Sequence, residues 1–149
     1  MARPMITTDC IILREEQRMI QPLKQTDYMV AKQLFQEVFE SCGEPYFIKA
    51  WASRSRPSSL GYWVKGVLVG IAIVVDKELE YIGMHPDFRG DGSGTQLLNA
   101  VLDVCPTIHL SPVDDPAVKK WYAKHGFALS QKRGAYEVFA RHEHNTRST

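Results

Sequence analysis

The segment Arg89-Gly90-Asp91-Gly92-Ser93-Gly94 sets three glycines at alternate positions, just ahead of an amphipathic run. Glycine reaches positive φ without a Cβ clash and lets a ligand come close to the main chain. Successive N–H groups in such a turn converge, and the start of the following helix adds about half a positive charge. The physical product is an anion cradle, continuing through Thr95, that suits a pyrophosphate. Arg89 stands at its rim, either as a cation for the ligand or as a brace for the turn. Other glycine-rich cradles fit less well. A P-loop requires Gly-Lys-Ser/Thr, and this turn has no lysine. The dinucleotide fingerprint wants a small residue where Thr95 stands, and no Pro86 between strand and turn. Arg89-Gly90-Asp91 also spells an integrin-binding tripeptide, read here as a chance match because no secretory signal accompanies it. The bland alternative is a glycine-rich connection that binds nothing.

The cradle needs a strand before it and a helix after it, and the flanking residues supply both. Glu78 to Met84 reads as a strand, with a bulge or bend expected near Gly83. After the turn, Leu97, Leu98, Val101 and Leu102 share one helical face, and Pro106 stops the helix. Upstream, Cys10 to Leu13 and Met19 to Leu23 read as one or two short strands. Thr26 and Asp27 are N-cap candidates for a helix over 27–39. Pro45 opens a second helix over 46–51. Leu60 to Val64 and Val67 to Val75 are strands joined by the two-residue turn Lys65-Gly66. The second is almost continuously apolar, which implies burial on both faces. Downstream come a short strand over 107–110, a helix opened by Asp115-Pro116 and closed at Gly126, and strands over 128–131 and 136–140. The order predicts an α/β fold: a single mixed, mostly antiparallel sheet of about six to seven strands, flanked by about four helices.

At 149 residues the chain is expected to form one domain. Residues 1–17 would be an extension or extra strand, and residues 142–149 a loose tail. A net charge of +1 argues against a nucleic-acid binder, which needs a broad cationic face. Cys10, Cys42 and Cys105 are odd in number and contain no Cys-x-x-Cys, so neither a disulfide framework nor a metal site is expected. No secretory signal is evident, and no apolar run approaches the roughly 18 residues of a membrane span. The expectation is a cytoplasmic protein with no membrane partner.

The sequence resembles the GNAT superfamily of acetyl-CoA-dependent N-acetyltransferases. Arg89, Gly92 and Gly94 satisfy its Arg/Gln-x-x-Gly-x-Gly/Ala signature, and Tyr122-Ala123-Lys124-His125-Gly126-Phe127 is similar to its Tyr-x-x-x-Gly-Phe segment. The element order agrees over residues 18–141. The resemblance implies acetyl-CoA as cosubstrate, with no metal, bound in a V-shaped opening between the fourth and fifth strands. The backbone of Ile82, Gly83 and Met84 would pair with the pantetheine arm, and the Met84 amide would polarise the thioester carbonyl. The amides of Arg89, Gly90, Asp91, Gly92, Ser93, Gly94 and Thr95 would hold the pyrophosphate. Tyr122 would protonate the departing thiolate. Its packing alternative is a core aromatic beside Trp121 and Phe127.

Strict alternation puts Glu78 and Glu80 on one face of their strand. Both match positions where some family members carry the general base. Glu80 is favoured because it lies nearer the expected thioester, and His109 is a further candidate. His142 and His144 form no credible metal site. Two departures stand out. Asp115 replaces an asparagine that contacts the coenzyme in many members, and reads first as a helix cap. Ser93 replaces a usually apolar residue. The acceptor is expected to be a primary amine on a small molecule, such as a polyamine, amino sugar, amino acid or arylalkylamine. Glu37, Glu40, Glu44, Tyr46, Phe47 and Trp51 would line its pocket, though a solvated helix face explains the same glutamates. The alternatives are a protein or peptide acetyltransferase, with identical catalytic residues, and a non-catalytic acetyl-CoA sensor. Homodimers are frequent in the family.

Overall fold

The computed structural model describes residues 17–40 and 42–141. The expected strand over 10–13 and the histidines at 142 and 144 lie outside them. Among the described residues, one sheet of seven strands runs in the order β1-β2-β3-β4-β5-β7-β6. Its first half is an antiparallel meander: β1 (Arg18–Pro22), β2 (Leu60–Val64), β3 (Val67–Val75) and β4 (Glu78–Met84). Its second half is β5 (His109–Leu110) followed in space by β7 (Tyr136–Arg141) and β6 (Phe127–Arg133), again antiparallel. The halves join through one parallel contact, β4 with β5. A parallel pair requires a crossover, and here it carries α3 (Ser93–Val104). The other helices are α1 (Tyr28–Val38), α2 (Glu44–Ser53) and α4 (Pro116–Lys124).

β3 is the spine of the molecule. Ala72 and Val74 pack into a cluster with Leu97, Leu98 and Val101 of α3. Ile71 and Ile73 pack oppositely against Leu34 and Phe35 of α1 and Phe47 of α2. All four β3 residues are fully buried, so the strand is covered on both faces, as its unbroken apolar run predicts. The Lys65-Gly66 turn has positive φ at both residues, the geometry that matches strand twist in two-residue hairpins.

Three local expectations change. Asp27 does not cap α1 with its side chain; its Oδ2 accepts instead from Lys24 N–H at 2.8 Å, closing a 3-10 turn over Gln25–Asp27. The second helix is longer than expected, running from Glu44 to Ser53 with Pro45 in its first turn as the sequence suggests. The irregularity in β4 falls at Glu80, not Gly83. Ile73 pairs with Tyr81 but Val74 pairs with Leu79, which leaves Glu80 as an extra residue. Leu79 and Ile82 consequently join the same hydrophobic cluster although three positions apart. Gly83 has a packing role: a Cβ there would lie 2.6 Å from Val38 Cγ1 and 2.9 Å from Phe39 Cζ. The end of α1 therefore rests directly on the β4 backbone.

Candidate active site

β5 is two residues long and meets β4 only at Glu78↔His109. From Leu79 to Met84 the strand has no β5 neighbour, and a cavity of about 640 Å3 occupies the gap. Its floor is Ile82, Gly83 and Met84 of β4. One end is the glycine turn, through Arg89, Gly90, Gly92, Gly94 and Thr95. Val118, Trp121 and Tyr122 of α4 form one wall, and Val38 and Phe39 at the end of α1 form another. This volume falls within the range of ordinary small-ligand sites.

The turn has the conformation its glycines permit. Gly90 and Gly92 adopt φ of 83° and 89°, and Gly92 is the N-cap of α3. No side chain crowds either position, so the constraint is backbone conformation rather than space. The first backbone bond of α3 runs from Gln96 N–H to the Gly92 carbonyl. The amides of Ser93, Gly94 and Thr95 thus precede the helical ladder. Ser93 N–H already donates to Asp91 Oδ1 at 3.0 Å, so the chain's own carboxylate takes up an amide of the cradle. The Arg89 side chain braces the turn, its Nε donating to the Met84 carbonyl at 2.9 Å. Trp121 Nε1 donates to Thr95 Oγ1 at 3.3 Å, tying α4 to the first turn of α3 across the cavity.

Tyr122 is buried, its ring tilted against Trp121 and edge-on to Phe127. Its hydroxyl has no hydrogen-bond partner among the described residues. Burial pushes its pKa up to about 12, because the phenolate would lose its hydration. It is thus a neutral phenol in the cavity wall.

The carboxylates are disposed differently from the simple alternation. The bulge at Glu80 breaks the strict two-residue repeat, and neither glutamate lines the cavity beside Tyr122. Glu80 is exposed, with its carboxyl raised above the ordinary range, first by partial burial and then by Glu78, against a smaller opposing effect of Lys49. Glu78 Oε1 lies 3.9 Å from His109 Nε2, and both line a separate depression of about 270 Å3 with Arg133, Tyr136 and Val138. Asp115 is a helix cap: its Oδ1 accepts from Ala117 N–H at 2.8 Å, and it lies outside the cavity wall. Asp91 and Ser93 also lie outside that wall.

The expected acceptor lining is largely dismantled. Phe47 and Trp51 are core residues, tilted against Phe35 and edge-on to Tyr28 respectively. Glu44 pairs with Lys32 at 2.6 Å, and Glu37 lies 4.0 Å from His85. Only Glu40 and Tyr46 of that set remain exposed without an ion-pair partner among the described residues. Sequence reasoning missed Phe39 and the cavity-facing roles of Val38, Val118 and Trp121. Helical periodicity marks Val38, Val118 and Trp121 as apolar-face residues, but it does not distinguish a face packed on core from one bordering a cavity. No group of three or more His, Cys, Asp or Glu side chains converges among the described residues, and no described helix is long and apolar enough to cross a membrane.

A family model for the acetyltransferase (GNAT) domain matches residues 58–129, from the start of β2 into β6. Fold and match together define an acyltransferase. Over residues 58–129 the chain matches the GNAT acetyltransferase domain. Solved structures share the fold. Naa50 of Arabidopsis thaliana, in complex with a bisubstrate analogue CoA-Ac-MVNAL, superposes with a TM-score of 0.65 at 20% identity, covering 83% of this chain and 96% of that one. The ribosomal-protein-S18-alanine N-acetyltransferase of Escherichia coli gives 0.66 at 20%, covering 83% and 92%. The PaiA N-acetyltransferase of Thermoplasma acidophilum, in complex with coenzyme A, gives 0.62 at 15%, covering 83% and 98%. A search of curated protein sequences returned no significant match.

Asp115→Ala should cost about 0.5–2 kcal/mol of stability, as loss of an N-cap does, and should leave coenzyme A affinity unchanged. Denaturant unfolding and titration calorimetry measure the two effects separately. A large loss of affinity with intact stability would return Asp115 to the binding surface.

Proposed function

We propose that the chain transfers an acetyl group from acetyl-CoA to the primary amine of a small molecule, by direct attack within a ternary complex. The observation that carries this reading is the single cavity that joins the glycine turn, the unpaired length of β4 and the Tyr122 hydroxyl. The amides from Arg89 to Thr95 hold the pyrophosphate, and Ile82 to Met84 align the pantetheine arm. The Met84 N–H polarises the thioester carbonyl, a contribution typically worth about 10²–10³ in rate. Holding donor and amine together makes the attack effectively intramolecular.

An alkylammonium has a pKa near about 10 and must lose a proton before it attacks. Glu80 receives that proton, directly or through water, and its raised pKa brings it closer to working pH. The amine nitrogen then bonds to the carbonyl carbon, and the C–S bond breaks. Tyr122 supplies a proton to the leaving thiolate and recovers one from solvent. A phenol held near pKa 12 stays protonated throughout the working range, so it is always charged with the proton it must give. For the acceptor, Glu78 and Glu80 offer negative charge, and the exposed rings of Tyr46 and Tyr136 offer aromatic faces. Carboxylates and aromatic faces together suit a cationic amine.

Acetyl-CoA at 100 times its dissociation constant should stabilise the fold by about 2.7 kcal/mol, visible as a rise of several degrees in melting temperature. Gly92→Asp places a charged side chain in a left-handed position at the cradle and should abolish the rise. A retained shift in that variant would dissociate the turn from donor binding.

Tyr122→Phe should lower kcat by about 10²–10⁴ while sparing coenzyme binding; unchanged turnover would reassign the ring to packing. Glu80→Gln should remove the acidic limb of the kcat/KM profile. The active form is the carboxylate, so the wild-type rate climbs as pH rises through the raised Glu80 pKa. A limb that survives the substitution places the base elsewhere.

Coenzyme A release should be measured across polyamines, amino sugars, amino acids, arylalkylamines and short peptides. Turnover of small amines supports the acceptor class. Turnover of peptides alone moves it to a protein or peptide substrate, and none at all leaves an acetyl-CoA sensor.

A further inference from the structure

Behind the glycine turn, outside the cavity wall, polar side chains from β1, β2 and α3 meet. Arg18 of β1 donates from Nη1 to the Tyr62 hydroxyl at 3.0 Å and to Ser93 Oγ at 3.1 Å. Its Nη2 lies 3.9 Å from Asp91 Oδ2. The Tyr62 hydroxyl in turn donates to Gln96 Oε1 at 2.5 Å. Ser93 is 1% exposed, and its buried hydroxyl is satisfied by Arg18 together with Asp91. Arg18 thereby contacts the third residue of the turn, the first residue of α3 and, through Tyr62, the fourth residue of α3.

The turn poses an electrostatic problem for a pyrophosphate site. Asp91 brings a negative charge to the cradle and already occupies the Ser93 N–H. Hydrogen bonding from Ser93 and the nearby Arg18 hold its carboxyl below the ordinary range, so it is ionised at neutral pH. An incoming pyrophosphate meets both like-charge repulsion and a competitor for the amide. The Arg18 guanidinium offsets the repulsion, since one of its amino groups faces the carboxylate and the other donates to the Ser93 hydroxyl.

We infer that Arg18 is a positioning residue of the donor site: its guanidinium, bonded to Ser93 Oγ and facing Asp91, offsets the charge of that carboxylate beside the pyrophosphate cradle. The inference rests on the acetyl-CoA reading above. It sets Arg18 apart from Arg89, which braces the same turn from the strand side through the Met84 carbonyl.

A double-mutant cycle tests it. Titration calorimetry would measure coenzyme A, and pantetheine, which lacks the pyrophosphate, on the wild type, Arg18→Met, Asp91→Asn and the double variant. Arg18→Met should weaken coenzyme A by roughly tenfold in the wild-type background. In the Asp91→Asn background the same change should cost less than about twofold. Pantetheine affinity should not move, and Arg18→Lys, which keeps the charge, should recover part of the loss. Equal losses in both backgrounds, or a matching loss for pantetheine, would make Arg18 a general structural support and overturn the inference. So would an absence of any effect. Failure of the wild type to bind coenzyme A would overturn the donor-site reading itself, an outcome distinct from Asp91-independent loss in a protein that binds.

Discussion

The site depends on a failure of strand pairing. β4 and β5 share a single register position, Glu78↔His109, and then part. A continuous ladder there would have filled the gap with backbone hydrogen bonds and left no room for a ligand. The sheet survives the split because β7 inserts between β5 and β6 and rebuilds an antiparallel ladder beyond it. The space is kept open by bulk from the helices: Trp121 and Tyr122 stand on one side, Val38 and Phe39 on the other. β3, buried on both faces, holds β4 rigidly against this opening.

Around that gap the backbone is held by side chains rather than left to loop flexibility. Arg89 reaches back to the Met84 carbonyl, Trp121 reaches across to Thr95, and Asp115 fixes the start of the helix that carries Tyr122. The first two contacts tie one side of the cavity to another. A cradle built this way loses little conformational entropy when a ligand arrives, because its geometry exists beforehand. Desolvation keeps Tyr122 neutral at the cavity wall and, outside that wall, raises the Glu80 carboxyl above its ordinary range.

Much of this was legible in the residues. The glycines at 90, 92 and 94 announce positive φ and an exposed helix start. The uninterrupted Val67–Val75 run announces a strand covered on both faces, and Asp115-Pro116 with Gly126 brackets a helix. These are local or periodic signals, and local geometry decides them. The glutamates show where such reasoning stops. Two-residue alternation puts Glu78 and Glu80 on one face, but a register shift against Val74 inserts Glu80 as an extra residue, and register is a property of two strands. Phe47 and Trp51 fail for a related reason. Their types suit an amine pocket, yet whether an aromatic on an amphipathic helix borders solvent or core depends on what the opposite element buries.

The sequence by itself determined the cradle, the strand–turn–helix unit around it and the tyrosine that accompanies it, because backbone conformation at glycine and helical phase are set within a few residues. Only the tertiary structure decided that β5 leaves β4 after one pair, that Tyr122 is dry and unpartnered, and that Arg18, some seventy residues upstream, stands behind Asp91 and Ser93. Those facts arise from contacts between segments far apart in the chain, where burial and hydrogen-bond satisfaction are settled collectively rather than residue by residue.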